Sequence, residues 1–288
     1  MALTDGLLVY YTLDTDGTDS LGVNNAASYN GALMNSSGKI NGCASFDGVN
    51  DYMRSNSVLG IASAGTRTMS CWVKVNSWVH GRVFLTLGTY SSLKYSALTT
   101  ISGNKFFFWG YGADIASTNT FSTGVWYHVV FTYDGTTGKL YVNGNLEGTN
   151  TFTLNTTNTH IKIGSDSGAR PTNCYVDEVA IWNRVLLDGE IASLYNSGDG
   201  LQYPLSVTMY SINGEVSLDA TPVEGAKVYL IDANTELLHD YKITDVDGLY
   251  SFDWLDNTNT YHLTVEYDDG SNKYNTLFKP FLTPIENE

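Results

Sequence analysis

The sequence is poor in cysteine, in positive charge and in long apolar runs. Its 288 residues include three cysteines, and no apolar stretch approaches the roughly 18 residues that a membrane-spanning helix needs. An odd, sparse set of cysteines (Cys43, Cys71 and Cys174) does not predict a disulfide framework. Small buried thiols in a protein made in a reducing cytosol are the simpler interpretation. The opening residues also lack the basic stretch of a secretory signal, so we expect no export signal there.

Charge is scarce and unevenly placed. Charged residues make up 16% of the chain, and the formal net charge is −15. Residues 1–203 contain 11 Lys or Arg against 15 Asp or Glu, whereas residues 204–288 contain 4 against 15. No basic run or patch is visible in the sequence. We therefore expect neither nucleic acid nor membrane insertion among the interactions of this protein.

What the chain has in abundance is short apolar runs separated by turns rich in Gly and Asn, a pattern typical of β-strands. The run Thr68–Val75 alternates, which places Cys71 on an inward face. One short helix is predicted after Asp188, which we expect to cap it, and Gly198 to end it. The pattern restarts after a linker near residue 203. The sequence therefore predicts an all-β protein with two domains, residues 1–203 and 204–288.

Four motifs of the first domain occur in a familiar order. They are Phe46–Tyr52 after Asp19-Ser20, Trp126–Gly135, Leu140–Gly144 and Tyr175–Leu186. Over residues 7–197, this order and spacing resemble the laminin G-like/concanavalin A-like lectin group. The resemblance implies a jelly-roll sandwich of two curved antiparallel sheets with about six or seven strands each. Lectins, glycosidases, adhesion modules and viral surface proteins all use this fold, so the resemblance does not fix the function.

The second domain resembles a different family. Its segments Ile212–Val216, Thr221–Leu230 and Thr244–Phe252 are similar to carboxypeptidase regulatory-like domains, which are small immunoglobulin-like β-sandwiches used as spacers and stalks. Some relatives carry an internal Lys–Asn isopeptide bond, but the predicted first strand here has no Lys, so we do not expect one. Stalk domains of this type in bacterial viruses often end in Lys-Tyr-Asn and Lys-Pro-Phe, which occur at 273–275 and 279–281.

The sequence offers no catalytic signature. Glucanases of this fold carry Glu-x-Asp-x-Glu on one strand, which is missing here, and residues 1–203 contain three glutamates, Glu147, Glu178 and Glu190, in separate segments. No Gly-x-Ser-x-Gly elbow and no zinc-like His/Cys spacing occurs. His128 lies within a family motif and is interpreted as structural. We expect a protein that is not an enzyme.

Calcium is one cofactor that the resemblance implies. Many jelly-rolls of this group hold a structural calcium ion where the opening segment meets the closing strand, and Asp19, Asp47 and Asp177 occupy matching motif positions. The alternative for Asp19 and Asp47 is that they form ordinary turn hydrogen bonds. We keep both interpretations open at this point.

The predicted strand Lys105–Tyr111 is aromatic on both faces. Because a strand in a two-layer sandwich buries one face, either Phe106 and Phe108 or Phe107, Trp109 and Tyr111 must lie on the outside. Sugars stack their C–H faces on flat rings, so Trp109 and Tyr111 are candidate ligand-binding residues. Trp78 and His80 are predicted to lie near them. A contact with another subunit, or a core covered by a loop, would explain the same pattern.

Two classes of function follow. One is a module that binds glycans on a host surface; the other is a structural protein in a larger assembly. We expect a non-enzymatic virion surface protein of a bacterial virus, a homo-oligomer that decorates the capsid or tail. Its lectin-like domain would bind glycans or a neighbouring virion subunit. A carbohydrate-binding adhesin on a bacterial cell surface is the alternative, followed by a glycoside hydrolase with an unrecognised site.

Overall fold

The computed structural model confirms the all-β class, with 51% of the chain in strands and 4% in helix. It describes residues 2–35, 37–166, 168–205, 210–233, 238–252, 255, 260–268, 273–275, 279–282 and 285–286. The chain forms two compact units, Met1–Ser206 and Val207–Glu288. Among the described residues, no helix has the length and apolar character needed to cross a membrane.

The described residues of the first unit form 15 strands and one α-helix. The strands are β1 (Leu7–Tyr11), β2 (Ala26–Tyr29), β3 (Leu33–Asn35), β4 (Cys43–Asp47), β5 (Tyr52–Val58), β6 (Arg67–Val75), β7 (Arg82–Gly88), β8 (Tyr95–Ile101), β9 (Lys105–Trp109), β10 (Ile115–Ala116), β11 (Trp126–Tyr133), β12 (Thr137–Val142), β13 (Asn145–Thr151), β14 (His160–Ile163) and β15 (Asn173–Trp182). Helix α1 (Asp188–Tyr195) follows, and a short 3-10 turn covers Asn196–Gly198.

The strands form two antiparallel sheets. Sheet A has the order β13-β12-β11-β6-β15-β4-β3, with β1 also paired to β15, and sheet B has the order β10-β9-β8-β7-β14-β5-β2. The core lies between them, because alternate side chains of each strand point inward. Phe108 of sheet B stacks on Phe131 of sheet A with ring centroids 3.5 Å apart. These eight-stranded and seven-stranded sheets fit the jelly-roll that the sequence predicts.

The predicted alternation of strand β6 holds, although its second face is buried as well. Met69, Cys71 and Val73 lie in the core. On the opposite face, Trp72 is also buried. Helix α1 covers this outer face of sheet A, and the ring of its Tyr195 stacks on the Trp72 ring with centroids 5.8 Å apart.

His128 lies on this covered face of sheet A and has the structural role that the sequence predicts. Its Nε2 is 2.8 Å from the Ser70 hydroxyl. Burial disfavours the imidazolium form and lowers the pKa of His128 to about 3. A histidine held neutral and enclosed in this way supports packing.

Two local predictions are corrected by the structure. The N-cap of α1 is Leu187, whose extended backbone precedes the helix, rather than Asp188. Asp188 lies in the first turn, where its carboxylate accepts a hydrogen bond from the Tyr141 hydroxyl at 2.8 Å. Strand β9 ends at Trp109, because the next residues form a turn in which Tyr111 has a left-handed φ of 57°.

The second unit contains short antiparallel strands. They are β16 (Tyr210–Glu215), β17 (Ser217–Leu218), β18 (Thr221–Pro222), β19 (Lys227–Asp232), β20 (Leu238–Ile243), β21 (Leu249–Phe252), β22 (Tyr261–Asp268), β23 (Lys273–Asn275), β24 (Lys279–Leu282) and β25 (Ile285–Glu286). One sheet has the order β21-β16-β25, and a larger one has β20-β19-β22-β23 with β24 also on β22. A separate core, which includes Val228, Leu230 and Phe252, lies within this unit. The immunoglobulin-like assignment stays a prediction.

Candidate functional site

The outer face of sheet B carries a row of side chains that runs across five strands. Strand registers place Arg54 beside Lys162, Lys162 beside Thr86, Thr86 beside Ala97 and Ala97 beside Trp109. Adjacent strands lie about 4.8 Å apart, so the row is about 19 Å long. Sheet A has α1 on its outer face, whereas this face of sheet B presents polar and aromatic side chains outward.

An aromatic cluster stands at one end of the row. We define it as Tyr90, Tyr95, Trp109 and Tyr111. The ring of Tyr90 meets those of Trp109 and Tyr111 edge-on at centroid distances of 5.2 and 4.8 Å. Trp109 and Tyr111 are near-parallel, 19° apart, with centroids separated by 6.2 Å. Tyr90 and Tyr111 are 39% and 40% exposed, whereas Tyr95 is fully buried and supports them.

A cationic group borders the aromatic cluster. The Arg170 guanidinium lies 3.4 Å from the centroid of the Tyr90 ring, a cation–π contact. Asp166 Oδ1 forms an ion pair with Lys162 Nζ at 2.7 Å, and Asp166 Oδ2 lies 3.7 Å from Arg170 Nη2. Two cations therefore share one carboxylate. Arg170 has a left-handed φ of 58°, and its carbonyl oxygen accepts a hydrogen bond from the Val83 N–H at 3.0 Å.

A second aromatic pair lies at the other end of the row. Tyr29 and Tyr52, cross-strand partners on β2 and β5, stack with centroids 4.8 Å apart and planes 6° apart. The Arg54 guanidinium lies 5.1 Å from the Tyr29 ring centroid, and its Nη2 donates to the Tyr29 hydroxyl at 3.2 Å. The face therefore presents rings at both ends and cations between them.

The structure brings together three of the four predicted ligand residues. Trp109 and Tyr111 are in the aromatic cluster, and the exposed His80 ring lies at its margin, 6.5 Å from Trp109. Trp78 is elsewhere. Its ring packs edge-on against the inward-facing Phe106 at 5.0 Å and belongs to the sandwich interior. The row Phe106 and Phe108 faces the core, and the row Phe107 and Trp109 faces outward.

Sequence reasoning missed Tyr90, Tyr95 and Arg170. Tyr90 lies in the loop between β7 and β8, and Arg170 lies in the loop before β15, so neither belongs to a strand alternation. One signal was available for Tyr95. It lies three positions before Leu98 on β8, so the two side chains lie on opposite faces of the sheet, Leu98 toward the core and Tyr95 outward. The contact of Arg170 with Tyr90 depends on tertiary structure, which no periodicity reports.

The three aspartates predicted to bind calcium lie in separate environments. The Asp19 carboxylate accepts hydrogen bonds from four main-chain N–H groups, among them those of Tyr10 at 3.0 Å and Asn24 at 3.0 Å. Asp47 closes its own turn by accepting the Val49 N–H at 2.7 Å. Within the described part of the chain, no group of three acidic, His or Cys side chains is arranged to hold a metal ion.

Asp177 is similarly occupied. Its Oδ2 accepts the main-chain N–H groups of Lys39 at 2.8 Å and Ile40 at 3.0 Å. Burial raises the pKa of this carboxyl to about 7. Asp19, Asp47 and Asp177 thus each accept main-chain N–H groups, and calcium binding by them stays a prediction.

A buried carboxyl cluster lies at the β-bulge in the middle of β15. The Tyr10 hydroxyl is hydrogen-bonded to Glu178 Oε2, and Gln202 Nε2 donates to Glu178 Oε1 at 2.9 Å and to Asp14 Oδ2 at 3.0 Å. Glu178 lies in a β-bulge and has a left-handed φ of 51°. Burial is the main cause that raises the pKa of Glu178 to about 9. Residues Leu201–Tyr203 cover this cluster, so it is closed to a substrate.

The other two glutamates of the first unit also have local partners. Glu147 accepts hydrogen bonds from the main chain and side chain of Asn119 at 2.9 and 2.8 Å. Glu190 forms a two-pronged pair with Arg184 at 2.7 and 2.5 Å. Each of the three glutamates therefore has a structural role in a separate part of the unit.

Sequence comparison identifies the first unit with a known family. Residues 47–192, about half of the chain, match the sequence profile of the Concanavalin A-like lectin/glucanases superfamily. The match runs from the end of β4 into α1 and includes the whole aromatic cluster. No curated protein sequence matches the chain.

Several solved structures share the fold. Domain 4 of AbnA, an extracellular arabinanase from Geobacillus stearothermophilus in complex with arabinotriose, has a TM-score of 0.54 at 20% identity, covering 65% of this chain and 96% of that one. The binding domain of Paraclostridial Mosquitocidal Protein 1 has a TM-score of 0.53 at 16% identity, covering 94% and 73%. Trypanosoma rangeli sialidase with 2,3-difluorosialic acid has a TM-score of 0.51 at 22% identity, covering 68% of this chain but 34% of that enzyme.

Proposed function

Because the chain belongs to the Concanavalin A-like lectin/glucanases superfamily, we propose that its first unit is a glycan-binding module that acts without catalysis. The observation that carries this proposal is the aromatic cluster on the outer face of sheet B, where Tyr90, Trp109 and Tyr111 lie beside Arg170. Trp109 packs on the small buried cluster of Val83, Tyr95 and Ala97, whereas Tyr90 and Tyr111 are exposed. Exposed aromatic rings grouped on one face indicate a binding surface.

The chemistry of the cluster suits a sugar. A pyranose or furanose ring has an apolar C–H face that packs on an aromatic ring, and hydroxyl groups at its edge that need polar partners. The cluster offers ring surface from Trp109 and Tyr111, and the neighbouring Arg170 and Asp166 supply donors and acceptors. A few oriented polar groups beside aromatic surface are typical of ligand sites.

The comparisons support this proposal at the level of the fold. Domain 4 of the arabinanase AbnA is a similar fold in complex with arabinotriose, and the second relative is the binding domain of a mosquitocidal protein. The absence of catalysis is supported by the glutamates. Glu147 and Glu190 are engaged by Asn119 and Arg184, and Glu178 is buried beneath Gln202, so these carboxyl groups are not paired around an open cleft.

The test is a binding measurement on a glycan array with the full chain. Trp109→Ala removes the central ring of the cluster and is expected to weaken binding of any captured glycan by about 30-fold or more, as for a central hot-spot residue. The matched control is Trp126→Ala. This half-buried tryptophan lies on sheet A, where Lys74 Nζ is 5.1 Å from its ring, and its loss is expected to leave glycan binding unchanged.

Thermal unfolding separates binding from folding in the same experiment. Trp109 is half-buried, so Trp109→Ala is expected to cost less stability than the roughly 3–5 kcal/mol of a fully buried aromatic. Loss of about that full amount would make Trp109 a core residue. An array on which the wild type captures no glycan, or on which Trp109→Ala binds as well as the wild type, would contradict the proposed function.

We further propose that the protein works at the surface of a bacterial virus as a homo-oligomer, where it contacts virion subunits as well as host glycans. The proposal is supported by the resemblance of residues 204–288 to viral stalk modules and by the cysteines. Cys43, Cys71 and Cys174 are buried and unpaired, which suits a protein made in a reducing cytosol. An adhesin of a bacterial cell surface is the alternative.

Light scattering coupled to size exclusion tests the assembly. A virion decoration protein is expected to elute as a closed oligomer with an integral multiple of the 31.5 kDa chain mass. A strictly monomeric protein at micromolar concentration would favour a single-chain adhesin over the virion assembly.

A further inference from the structure

We infer that the glycan bound by this module is acidic, and that its carboxylate or sulfate group binds at Lys162 and Arg170. This inference rests on the proposed glycan-binding function and assigns a ligand class to the same face of sheet B. The first unit has four more acidic than basic residues, 15 against 11 over residues 1–203, and yet cations predominate on this face.

The cations are placed side by side by the strand register. Arg54 and Lys162 are direct cross-strand partners on β5 and β14, so their side chains leave the same face of the sheet. Arg170 reaches the same area, because both it and Lys162 lie within 4 Å of the one carboxylate, Asp166. Three positive charges therefore lie on this face with two negative ones, Asp166 and Asp114. The excess favours an anion, which supplies the missing countercharge.

The Arg170–Asp166 pair leaves Arg170 with unused donor capacity. The separation of 3.7 Å between Nη2 and Oδ2 is too long for a hydrogen bond. The Arg170 Nε and the Arg54 Nε are buried and have no hydrogen-bond partner among the described residues. A guanidinium is a planar fork that matches a carboxylate or a sulfate in a two-pronged arrangement.

The neighbouring aromatic rings orient the Arg170 guanidinium. The Arg170 guanidinium is held 3.4 Å from the Tyr90 ring centroid and 5.9 Å from that of Trp109. The same side chain that would bind the acidic group therefore borders the rings on which the sugar would stack. Asp114, a carboxylate in the turn that follows β9, accepts the N–H of Gly110 at 3.0 Å and is engaged within that turn.

Arg170 connects the cations with the rings. Thr86 and Ala97, which lie between Lys162 and Trp109 in the row, are fully buried. Arg170 lies near both Asp166 and the Tyr90 ring, so an acidic sugar bound at Arg170 can contact a ring at the same time. Neutral glycans would use the rings alone.

The experiment compares matched acidic and neutral probes by calorimetry with the full chain. One pair is oligogalacturonate and its methyl ester; the other is a sialylated glycoprotein and its desialylated form. A sulfated oligosaccharide and its desulfated form distinguish sulfate from carboxylate, and arabinotriose and laminaritriose serve as neutral probes. We expect at least one acidic probe to bind about 10-fold or more tightly than its neutral partner, with affinity falling as salt rises.

Two variants locate the acidic group. Lys162→Gln and Arg170→Gln are each expected to weaken the acidic probe by about 10- to 100-fold while changing its neutral partner little, and Arg170→Lys should recover part of the loss. Lys139→Gln, which removes a half-buried cation from sheet A, is the control. Melting temperatures identify any variant that fails to fold.

The outcomes separate this inference from the proposed function. Equal binding of acidic and neutral partners, with both lost in Trp109→Ala, would overturn the acidic ligand and leave a neutral glycan-binding module. The acidic ligand is overturned equally if the two cation variants bind acidic probes as the wild type does. Binding of no probe and of no arrayed glycan would overturn the glycan-binding function itself, and the acidic ligand with it.

Discussion

Arg67→Ala is expected to lower the free energy of unfolding of the first unit by about 3–5 kcal/mol. Arg67 is fully buried. Its guanidinium donates to the carbonyl oxygens of Ser63 at 3.0 Å and Gly65 at 2.7 Å, and to the hydroxyls of Thr156 at 2.7 Å and Ser96 at 3.2 Å. Removal of the guanidinium leaves these acceptors without their hydrogen-bond donor. It also leaves a cavity where β6 of sheet A reaches Ser96 of sheet B.

Burial of the Arg67 guanidinium also destabilises its charged form, so substitutions that remove or keep the charge should differ in stability. Desolvation lowers the pKa of Arg67 to about 10, and among the described residues it has no carboxylate partner. Arg67→Met removes the charge and fills most of the volume, so we expect it to lose less stability than Arg67→Ala. Arg67→Lys keeps the charge but cannot reproduce the planar fork, so it should also be destabilising.

Urea unfolding followed by tryptophan fluorescence measures the effect, because five of the six tryptophans lie in the first unit. Lys94→Ala, at an exposed position on the same unit, is expected to stay within about 0.5 kcal/mol of the wild type. A loss below about 1 kcal/mol for Arg67→Ala would show that water or a local rearrangement satisfies the stranded acceptors.

The second large effect is a dependence of stability on pH that originates at Glu178. The pKa of this carboxyl is raised from an ordinary 4.5 to about 9, chiefly by burial. Between these values, the native state holds a proton that the unfolded chain has released. Native stability therefore falls as pH rises, because the unfolded state binds fewer protons. The contribution is complete below about pH 4.5 and is lost as pH rises through about 9.

Glu178→Gln removes this titration and keeps a neutral side chain beside Tyr10 and Gln202. From about pH 5 to about pH 9, we expect the wild type to lose about 2–4 kcal/mol more stability than the variant. Asp177, whose pKa burial raises to about 7, contributes a loss of the same sign in both proteins, so the difference between them reports Glu178 together with its charge interaction with Asp177.

Urea midpoints across that pH range provide the measurement. Asp199→Asn, an exposed position of the same unit, is the control and should follow the wild type. Parallel pH profiles for Glu178→Gln and the wild type would mean that Glu178 is ionised in the native state at neutral pH. The buried cluster would then have to be held by a different charge arrangement.

Strand alternation predicted the inward faces well. Met69, Cys71 and Val73 occupy the core as the alternation of β6 required. Alternation does not report what covers the other face of a strand. The alternation predicts that Trp72 and Ser70 face outward. They are nevertheless buried, because α1 and its Tyr195 lie over them. Arg67 escaped notice for the same reason, since its partners Ser63 and Thr156 come from loops.

The candidate site was predicted only in part, for a comparable reason. Trp109 and Tyr111 were identified because their strand is aromatic on both faces. Trp78 was predicted to lie near them, and the structure turns its ring toward Phe106 instead. Lys162 joins the site through its register with Thr86, and Arg170 joins through a turn with a left-handed backbone. Registers between distant strands and turn conformations are tertiary properties that a single sequence does not express.

The pairing of β1 with β15 determines where a tag at the start of the first unit would lie. Strand β1 lies against β15, the Trp182 indole N–H donates to the Leu3 carbonyl at 2.7 Å, and the Tyr10 hydroxyl donates to the Leu201 carbonyl at 3.0 Å. Both ends of the unit are thus fastened to sheet A, whereas the rings and cations stand on sheet B. A tag placed before Leu3 is therefore tethered at sheet A, the layer opposite the rings and cations, and is expected to leave them accessible.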